Sequence, residues 1–460
     1  MERISLQEIM EVTRGDMISG CRDHFITGVS TDSRTASEND LFIPIIGENH
    51  DGHQFLKSAF DNGCRAFMIS EKEAASQIPE ADTILVSDTL RAMQDLAYHY
   101  LESLGLHKVA VTGSVGKTST RDMIYYILSQ KYRTARPEKN YNNEIGVPLT
   151  IFSLDKTYEA AVFEEGLEYA GDIHRLSRMT RPDLAVITNI GVSHIENLGT
   201  RENIFKAKLE VADFLPQDGA LIINSDSDFL KKENIDKEYR IISCGHDPSF
   251  DYYVHDIIDR GTDGITFTLT TKDEEAVINL PVPGAHNAVN AALAASVAAE
   301  LGIGLGDVQK GLSKLELTGK RLLVKEGLGR KVIDDSYNAA PASMKSAVDT
   351  LMNTKGKRHV AVLAGMNELG EDWKKYHMEV GEYCTEKRLD MSIGVGDKAR
   401  AIVEGAQGSD TTYSVWFPDK ESFYSEMDDM IKAGDVIIVK GSNAYKMSEV
   451  ADRLVGRRDQ

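Results

Sequence analysis

Lys117 and Thr118 directly follow Gly113-Ser114-Val115-Gly116, and the six residues form a pattern suited to holding a polyphosphate. Glycines at 113 and 116 let backbone N–H groups, including that of Ser114, approach phosphate oxygens, and a helix opening at Lys117 adds its dipole. The Lys117 ammonium suits the β- and γ-phosphates, and the Thr118 hydroxyl suits Mg²⁺. The usual loop of this kind has its first glycine where Val111 stands, so this is a shortened G-x-x-G-K-T form.

Other residues could supply the rest of a phosphoryl-transfer site. Glu164 closes the apolar run Ala160-Ala161-Val162-Phe163. A carboxylate there is costly unless it faces a cation, and a strand end in water is the alternative. His194 lies in Asn189-Ile190-Gly191-Val192-Ser193-His194, again just past an apolar run. A lone loop histidine is ordinarily only solvated, but Thr118, Glu164 and His194 all follow expected parallel strands, where open α/β sheets place ligands. From the residues alone, Lys208 reads as an exposed helix lysine, Asn287 as a helix N-cap and Asn290 as a polar first-turn residue. Arg321 reads as a linker arginine, and Asp335, Tyr337 and Lys440 as loop residues after buried strands.

The elements that must position these residues alternate. Lys108–Thr112, Ala160–Phe163, Leu184–Thr188 and Ala220–Asn224 read as strands buried on both faces, with a helix over Thr118–Ser129. That predicts a parallel sheet covered by helices. Between Ile241 and Pro283 the alternating pattern predicts an antiparallel addition, and His286–Leu301 an Ala-rich helix. Before Gly105, Leu41–Ile46 and Ala66–Ser70 read as strands, and Phe55–Asn62 and Met93–Leu104 as helices. After Arg321 a further series has strands at Lys331–Asp334, His359–Ala364, Met391–Val395 and Val436–Val439. The expected architecture is α/β in three domains. A small α/β substrate domain spans 1–104, a central parallel-sheet P-loop ATPase domain 105–317, and a C-terminal Rossmann-like domain 318–460.

Composition excludes several classes. The 460 residues are 42% hydrophobic and carry a formal charge of −20, which repels nucleic acid and acidic membrane surfaces. No apolar run reaches the roughly 18–20 residues of a membrane span, and the N-terminus does not read as a secretory signal. Four scattered cysteines argue for a reducing compartment and against a disulfide framework or structural metal. A cytoplasmic monomer is expected.

Thr112-Gly113-Ser114-Val115-Gly116-Lys117-Thr118 resembles the nucleotide loop of the Mur ligases, which build the peptide of bacterial cell wall. The resemblance extends through Asn140–Leu149, Thr31–Arg34, Gly47–His53, Asp334–Pro341 and Glu368–Glu371, in the family's order. It implies ATP and two Mg²⁺ ions, with Thr118, Glu164, His194 and a carbamylated Lys208 as metal ligands. Asn287 and Asn290 would lie beside adenine, Arg321 would reach the γ-phosphate, and Asp335 and Tyr337 would contact ribose and phosphates. Ser33, Arg34, Asp51, His53, Asn142, Asn143 and Lys440 would handle the substrates. The reaction implied joins the amine of a D-alanyl-D-alanine dipeptide to the carboxylate of a UDP-muramyl tripeptide through an acyl phosphate.

Departures from the family's common residues keep other readings open. Val115, Glu168 and Ala340 stand where Asn is frequent, Asn443 where Arg is, and Glu165 where an apolar residue is usual. A Mur-like paralogue of the folate-polyglutamate or peptide-polymer type is one alternative. A nucleotide-binding regulatory subunit that does not ligate is another.

Overall fold

The computed structural model describes residues 1–47, 50–138, 140–236, 239–319 and 321–457; Glu48 and Asn49 of the Gly47–His53 segment lie outside the described residues. Among the described residues, three large sheets follow one another along the chain, besides a small two-stranded pairing of Ile4–Ser5 with Phe25–Ile26. The first has five strands in the order Asp16–Ser19, Asp82–Leu85, Ala66–Ile69, Asp40–Phe42 and Gly28–Ser30, parallel except at the Asp16–Ser19 edge. The strand expected over 41–46 ends at Phe42. Pro44 has no N–H for the ladder, and its carbonyl instead accepts the Thr89 hydroxyl at 2.6 Å.

Asp88 caps the helix Thr89–Leu104 by accepting the Arg91 N–H, and Gly105 ends it in the left-handed conformation. This helix carries Met93, Leu96 and Tyr100 into a core shared with Val147, Ile151 and Leu176 of the next sheet's helices. The first two units are therefore joined by packing as well as by chain.

The second sheet has nine strands in the order Glu275–Leu280, Ile265–Thr270, Tyr252–Asp259, Arg240–Gly245, Ala220–Asn224, Leu184–Ile187, His107–Thr112, Ala160–Glu164 and Thr134–Ala135. The antiparallel addition is smaller than expected. Arg240–Gly245 still pairs in parallel with Ala220–Asn224, and Cys244 and Gly245 in parallel with Tyr252 and Tyr253. Only the pairings of Ile265–Thr270, with Tyr252–Asp259 and with Glu275–Leu280, are antiparallel, and Ile265–Thr270 shows the alternating burial of a sheet solvated on one face. His107–Thr112 lies between Leu184–Ile187 and Ala160–Glu164, so the chain leaves it at a switch point where an open sheet forms a crevice.

Lys117–Leu128 packs against His286–Glu300, whose residues 287–298 are all buried. Alanine on every side of that helix allows this enclosure. The third sheet has the order Leu323–Gly327, Arg330–Asp334, Asp435–Lys440, Arg358–Leu363, Met391–Val395 and Tyr413–Phe417, antiparallel only at its first strand. Helices cover both of its faces, forming two separate apolar clusters. Among the described residues no helix is long and apolar enough to cross a membrane.

Candidate active site

The loop after His107–Thr112 is braced from the neighbouring strand end. Contrary to expectation, the Ser114 N–H is turned away to the Asn189 carbonyl at 3.1 Å and is not offered to a phosphate, and Ser114 Oγ accepts the Gly191 N–H at 2.8 Å. Val115 N–H donates to Asn189 Oδ1 at 3.0 Å, and its carbonyl accepts Thr188 Oγ1 at 2.6 Å and Asn189 Nδ2 at 3.1 Å. Gly113 has φ +146°, and a Cβ there would overlap the Thr188 hydroxyl. Gly116, at φ +83°, opens the helix, and a Cβ on it would meet Asn290 Oδ1 at 3.1 Å. Glycine is thus required at 113 by space and by backbone, and favoured at 116 chiefly by its positive φ. Lys117 Nζ donates to the Gly113 carbonyl at 2.8 Å, folding back over the loop. Burial holds this ammonium below its ordinary pKa, and Arg321 pushes the same way against Glu164.

Glu164 is buried at the end of its strand, and it does face cations. Oε2 accepts Thr118 Oγ1 at 2.7 Å and lies 3.4 Å from Arg121 Nη1, while Oε1 accepts Asn142 Nδ2 at 3.1 Å. Burial pushes its pKa up, but the charges of Lys117 and Arg121 and the Thr118 hydrogen bond outweigh this and hold it below the ordinary value. Glu165, the next residue, has the opposite fate. Its side chain points into the apolar interior, where burial pushes it up to about 8 against one hydrogen bond from Thr180. Its Oε2 has no hydrogen-bond partner.

Lys208 is 1% exposed in the helix Arg201–Leu209, not a surface lysine, and no described residue gives it a hydrogen-bond or ion-pair partner. Burial first, then the nearby Lys117 charge, holds it well below an ordinary lysine pKa. Lys206, two residues earlier, is exposed. His194 adopts φ +64°, and its Nδ1 lies 2.5 Å from Glu368 Oε2 of the third sheet's loops, a close contact without hydrogen-bond geometry. The Glu164 carboxylate beside the Thr118 hydroxyl, with the His194 imidazole at the same cavity, offers hard donors that fit Mg²⁺, whereas Lys208 does not itself line that cavity. Its amine would join them only after conversion to a carbamate.

A cavity of about 880 Å³ is lined by Lys117, Thr118, Glu164 and His194 on the central sheet and by Arg321, Asp335, Tyr337 and Lys440 on the third. Arg321 stacks its guanidinium over the Tyr337 ring at 3.9 Å and donates to the Thr318 carbonyl. Lys440 is committed internally: Nζ donates to Asp335 Oδ2 at 2.5 Å, the Asn338 carbonyl at 2.9 Å and the Asp335 carbonyl at 3.3 Å. It therefore braces the Asp335–Asn338 loop. Asn287 also lines the cavity but is not the N-cap, which is Ala285. Asn287 Nδ2 donates to the Pro283 carbonyl at 2.7 Å, and its Oδ1 accepts Asn290 Nδ2, so the pair buttresses the phosphate loop through Gly116.

Asn143 Oδ1 accepts the Gly146 and Ile145 N–H groups and so turns the chain into the helix Gly146–Phe152, at the cavity wall. Ser33, Arg34, Asp51 and His53 do not line the cavity; they lie in the first unit. Arg34 forms a forked pair with Asp32, and the pKa of the half-exposed Asp32 carboxyl falls to about 2 through that hydrogen bond. His53 is buried between Asp51, at 2.7 Å, and the Ser70 N–H, at 3.1 Å, so both ring nitrogens are engaged. Glu71 completes an acidic group there.

Sequence reading missed Thr188, Asn189 and Arg121, and also His286, which lines the cavity beside Asn287. Position immediately after a buried strand could have flagged Thr188 and Asn189. No local pattern marks Arg121, an arginine among the largest fully buried side chains.

Three family models match in order: the Mur ligase family catalytic domain over residues 25–101, the Mur ligase middle domain over 111–298, and the Mur ligase glutamate ligase domain over 320–443. The chain is 36% identical to the UDP-N-acetylmuramoyl-tripeptide–D-alanyl-D-alanine ligase of Bacillus subtilis, over 99% of both chains. It is similar to the crystal structure of MurF from Acinetobacter baumannii, with TM-score 0.92, 29% identity, and coverage of 99% of this chain and 100% of that one. MurF ligase from Thermotoga maritima in complex with ADP gives TM-score 0.81 at 27% identity, covering 93% of this chain and 96% of that one.

Proposed function

This chain belongs to the Mur ligase family, and we propose that it joins D-alanyl-D-alanine to UDP-N-acetylmuramoyl-tripeptide at the expense of ATP, in peptidoglycan precursor synthesis. The observation that carries the reading is the Thr118–Glu164 pair beside Lys117, at a cavity closed from the far side by Arg321. ATP would lie with its phosphates over Gly113–Thr118 and its base toward Asn287 and His286. Thr118, Glu164, His194 and a carbamylated Lys208 would hold two Mg²⁺ ions, which when bound neutralise the charge that develops on the phosphates.

The tripeptide's terminal carboxylate attacks the γ-phosphorus, forming a new C(O)O–P bond as the bond to the ADP oxygen breaks. Lys117 and Arg321 stabilise charge on the transferring group from opposite sides. The dipeptide amine then attacks the acyl carbon, and the tetrahedral intermediate collapses to amide and inorganic phosphate, releasing the amine proton. Closure of the two domains over the cavity would restrict the water that would otherwise hydrolyse the acyl phosphate. Ser33, Arg34, Asp51 and His53 support the reading as the UDP end of the site, Asn142 and Asn143 as its peptide wall, and Lys440 as a brace for the amine-binding loop. The protein works as a cytoplasmic monomer.

Phosphate release should require ATP, Mg²⁺, the UDP-muramyl tripeptide and D-alanyl-D-alanine together. Equal release with either substrate omitted would overturn the reading, as would amide formation with a different acid and amine only.

A further inference from the structure

Asp122 is fully buried one turn into the helix after the phosphate loop, and none of the roles above uses it. Oδ1 accepts Arg121 Nη2 at 2.6 Å, Arg121 Nε at 3.1 Å and Arg136 Nη1 at 2.7 Å. Oδ2 accepts the backbone N–H of Thr318 at 2.7 Å. Burying a carboxylate is costly unless it is paired and hydrogen-bonded, and here each oxygen is directed at a particular partner.

The Thr318 partner has a special place. It lies between Leu305–Leu312, the last helix of the central unit, and Leu323–Gly327, the first strand of the third sheet. Gly319 follows it at φ +83°, a conformation in which the chain can turn sharply. Asp122 holds the Thr318 N–H while Arg321 Nη1 holds the Thr318 carbonyl at 3.2 Å. On the other side, Arg121 Nη1 reaches Glu164 Oε2 at 3.4 Å. A continuous polar line therefore runs from Glu164 through Arg121 and Asp122 to the junction, and from the junction to Arg321.

We propose that Asp122 is a positioning residue: it fixes the pivot of the C-terminal domain against the phosphate-loop helix, so that closure delivers Arg321 in register with the phosphoryl group. Hinges are a few loop residues that absorb backbone rotation, and a pivot tied to the nucleotide loop makes closure depend on that loop's geometry. The proposal rests on the ligase reading. It does not require Asp122 to touch nucleotide or substrate.

The test uses the full chain with Asp122→Asn, which removes an acceptor, and Thr318→Pro, which removes the junction N–H and also fixes φ at that position. Thr318→Ala, which keeps that N–H, is the companion. ADP affinity in the presence of Mg²⁺, kcat and the KM of each substrate are measured, with small-angle scattering to follow closure on adding a non-hydrolysable ATP analogue. Asp122→Asn and Thr318→Pro should bind ADP within about threefold of the parent yet lose kcat on the order of 10- to 100-fold, the effect of misplaced reacting groups. Their scattering should no longer contract with the analogue, and Thr318→Ala should match the parent. Parental kcat and contraction in Thr318→Pro overturn the proposal, as does an equal loss in Thr318→Ala. If Asp122→Asn does not fold, Thr318→Pro alone decides. Failure of the parent itself to bind ADP overturns the ligase reading and this proposal with it, so the two failures are told apart.

Discussion

Glu368 Oε2 lies 2.5 Å from His194 Nδ1, so a carboxylate of the third sheet's loops meets an imidazole presented by the central sheet. The Glu196 N–H also donates to the Glu368 carbonyl, at 3.4 Å. Both residues have positive φ, so two uncommon backbone conformations face each other across the cavity. With its carboxylate half-exposed, this contact contributes little to folding, less than about 1 kcal/mol. Glu368→Ala should therefore change the melting temperature little while lowering kcat by roughly tenfold, because the domains then meet less often in one geometry. Circular dichroism melts and steady-state phosphate release check this. A large stability loss with unchanged kcat would make the contact structural only.

The phosphate loop tolerates change unevenly. Each hydrogen bond that braces Val115 uses its backbone, so the departure from the family's frequent Asn leaves the loop's bracing in place. Val115→Asn should leave ADP affinity within about threefold. Gly113→Ala should abolish it, since the new methyl overlaps the Thr188 hydroxyl at a positive φ. Calorimetric titration with ADP and Mg²⁺ distinguishes the two. Tight binding by Gly113→Ala would show that the loop relaxes freely.

What could be read in advance follows the range of the interactions. Leu184–Ile187 and Ala220–Asn224 announce themselves because strands buried on both faces must be apolar throughout. The positions of Thr118 and Glu164 follow from strand ends, and the structure does bring their side chains together. The burial of Lys208 could not be read from its helix, which has charged residues on several sides. Nor could the commitment of Lys440 to Asp335, 105 residues away in sequence. Asn287 misled because its residue type suits an N-cap, whereas the enclosed start of that helix turns it back to the Pro283 carbonyl. Asp122 was illegible for the same reason as Lys440: apart from the adjacent Arg121, its partners lie at positions 136 and 318.

His246 and Asp226, at 2.7 Å beyond the ends of two central strands, give a pH signature independent of the active site. The Asp226 hydrogen bond raises His246 above the ordinary imidazole value of about 6.5. Burial pushes Asp226 up, but His246 outweighs it and lowers the carboxyl overall. The histidine contribution is fully present below about pH 6.5 and is lost as pH rises through its elevated folded value. The aspartate contribution is present above about pH 4 and fades as pH falls through its depressed value. His246→Ala should flatten the decline in stability between about pH 6 and 8, by no more than about 1 kcal/mol for a half-exposed pair. Urea unfolding across that range tests it; an unchanged slope would remove the pair from the pH response.

Lys208 sets stability against function. Its amine is buried without a described partner, and burial with the Lys117 charge favours the neutral form. A neutral amine is the form that can add CO₂ to become a carbamate, but holding it there costs folding free energy that an apolar side chain of similar length would not. Lys208→Met should therefore raise stability in chelator by about 1–2 kcal/mol, and lower kcat by on the order of a hundredfold or more, as removal of a charge-stabilising group does. Lys208→Ala should lose activity likewise and regain part of it with a short carboxylate such as acetate or formate, which can occupy the vacated space. Thermal melts in chelator and rates with and without added carboxylate read both arms. Full activity of either variant without carboxylate would make the lysine a bystander, and a lower melting temperature in Lys208→Met would mean that its burial is not a strain on the fold.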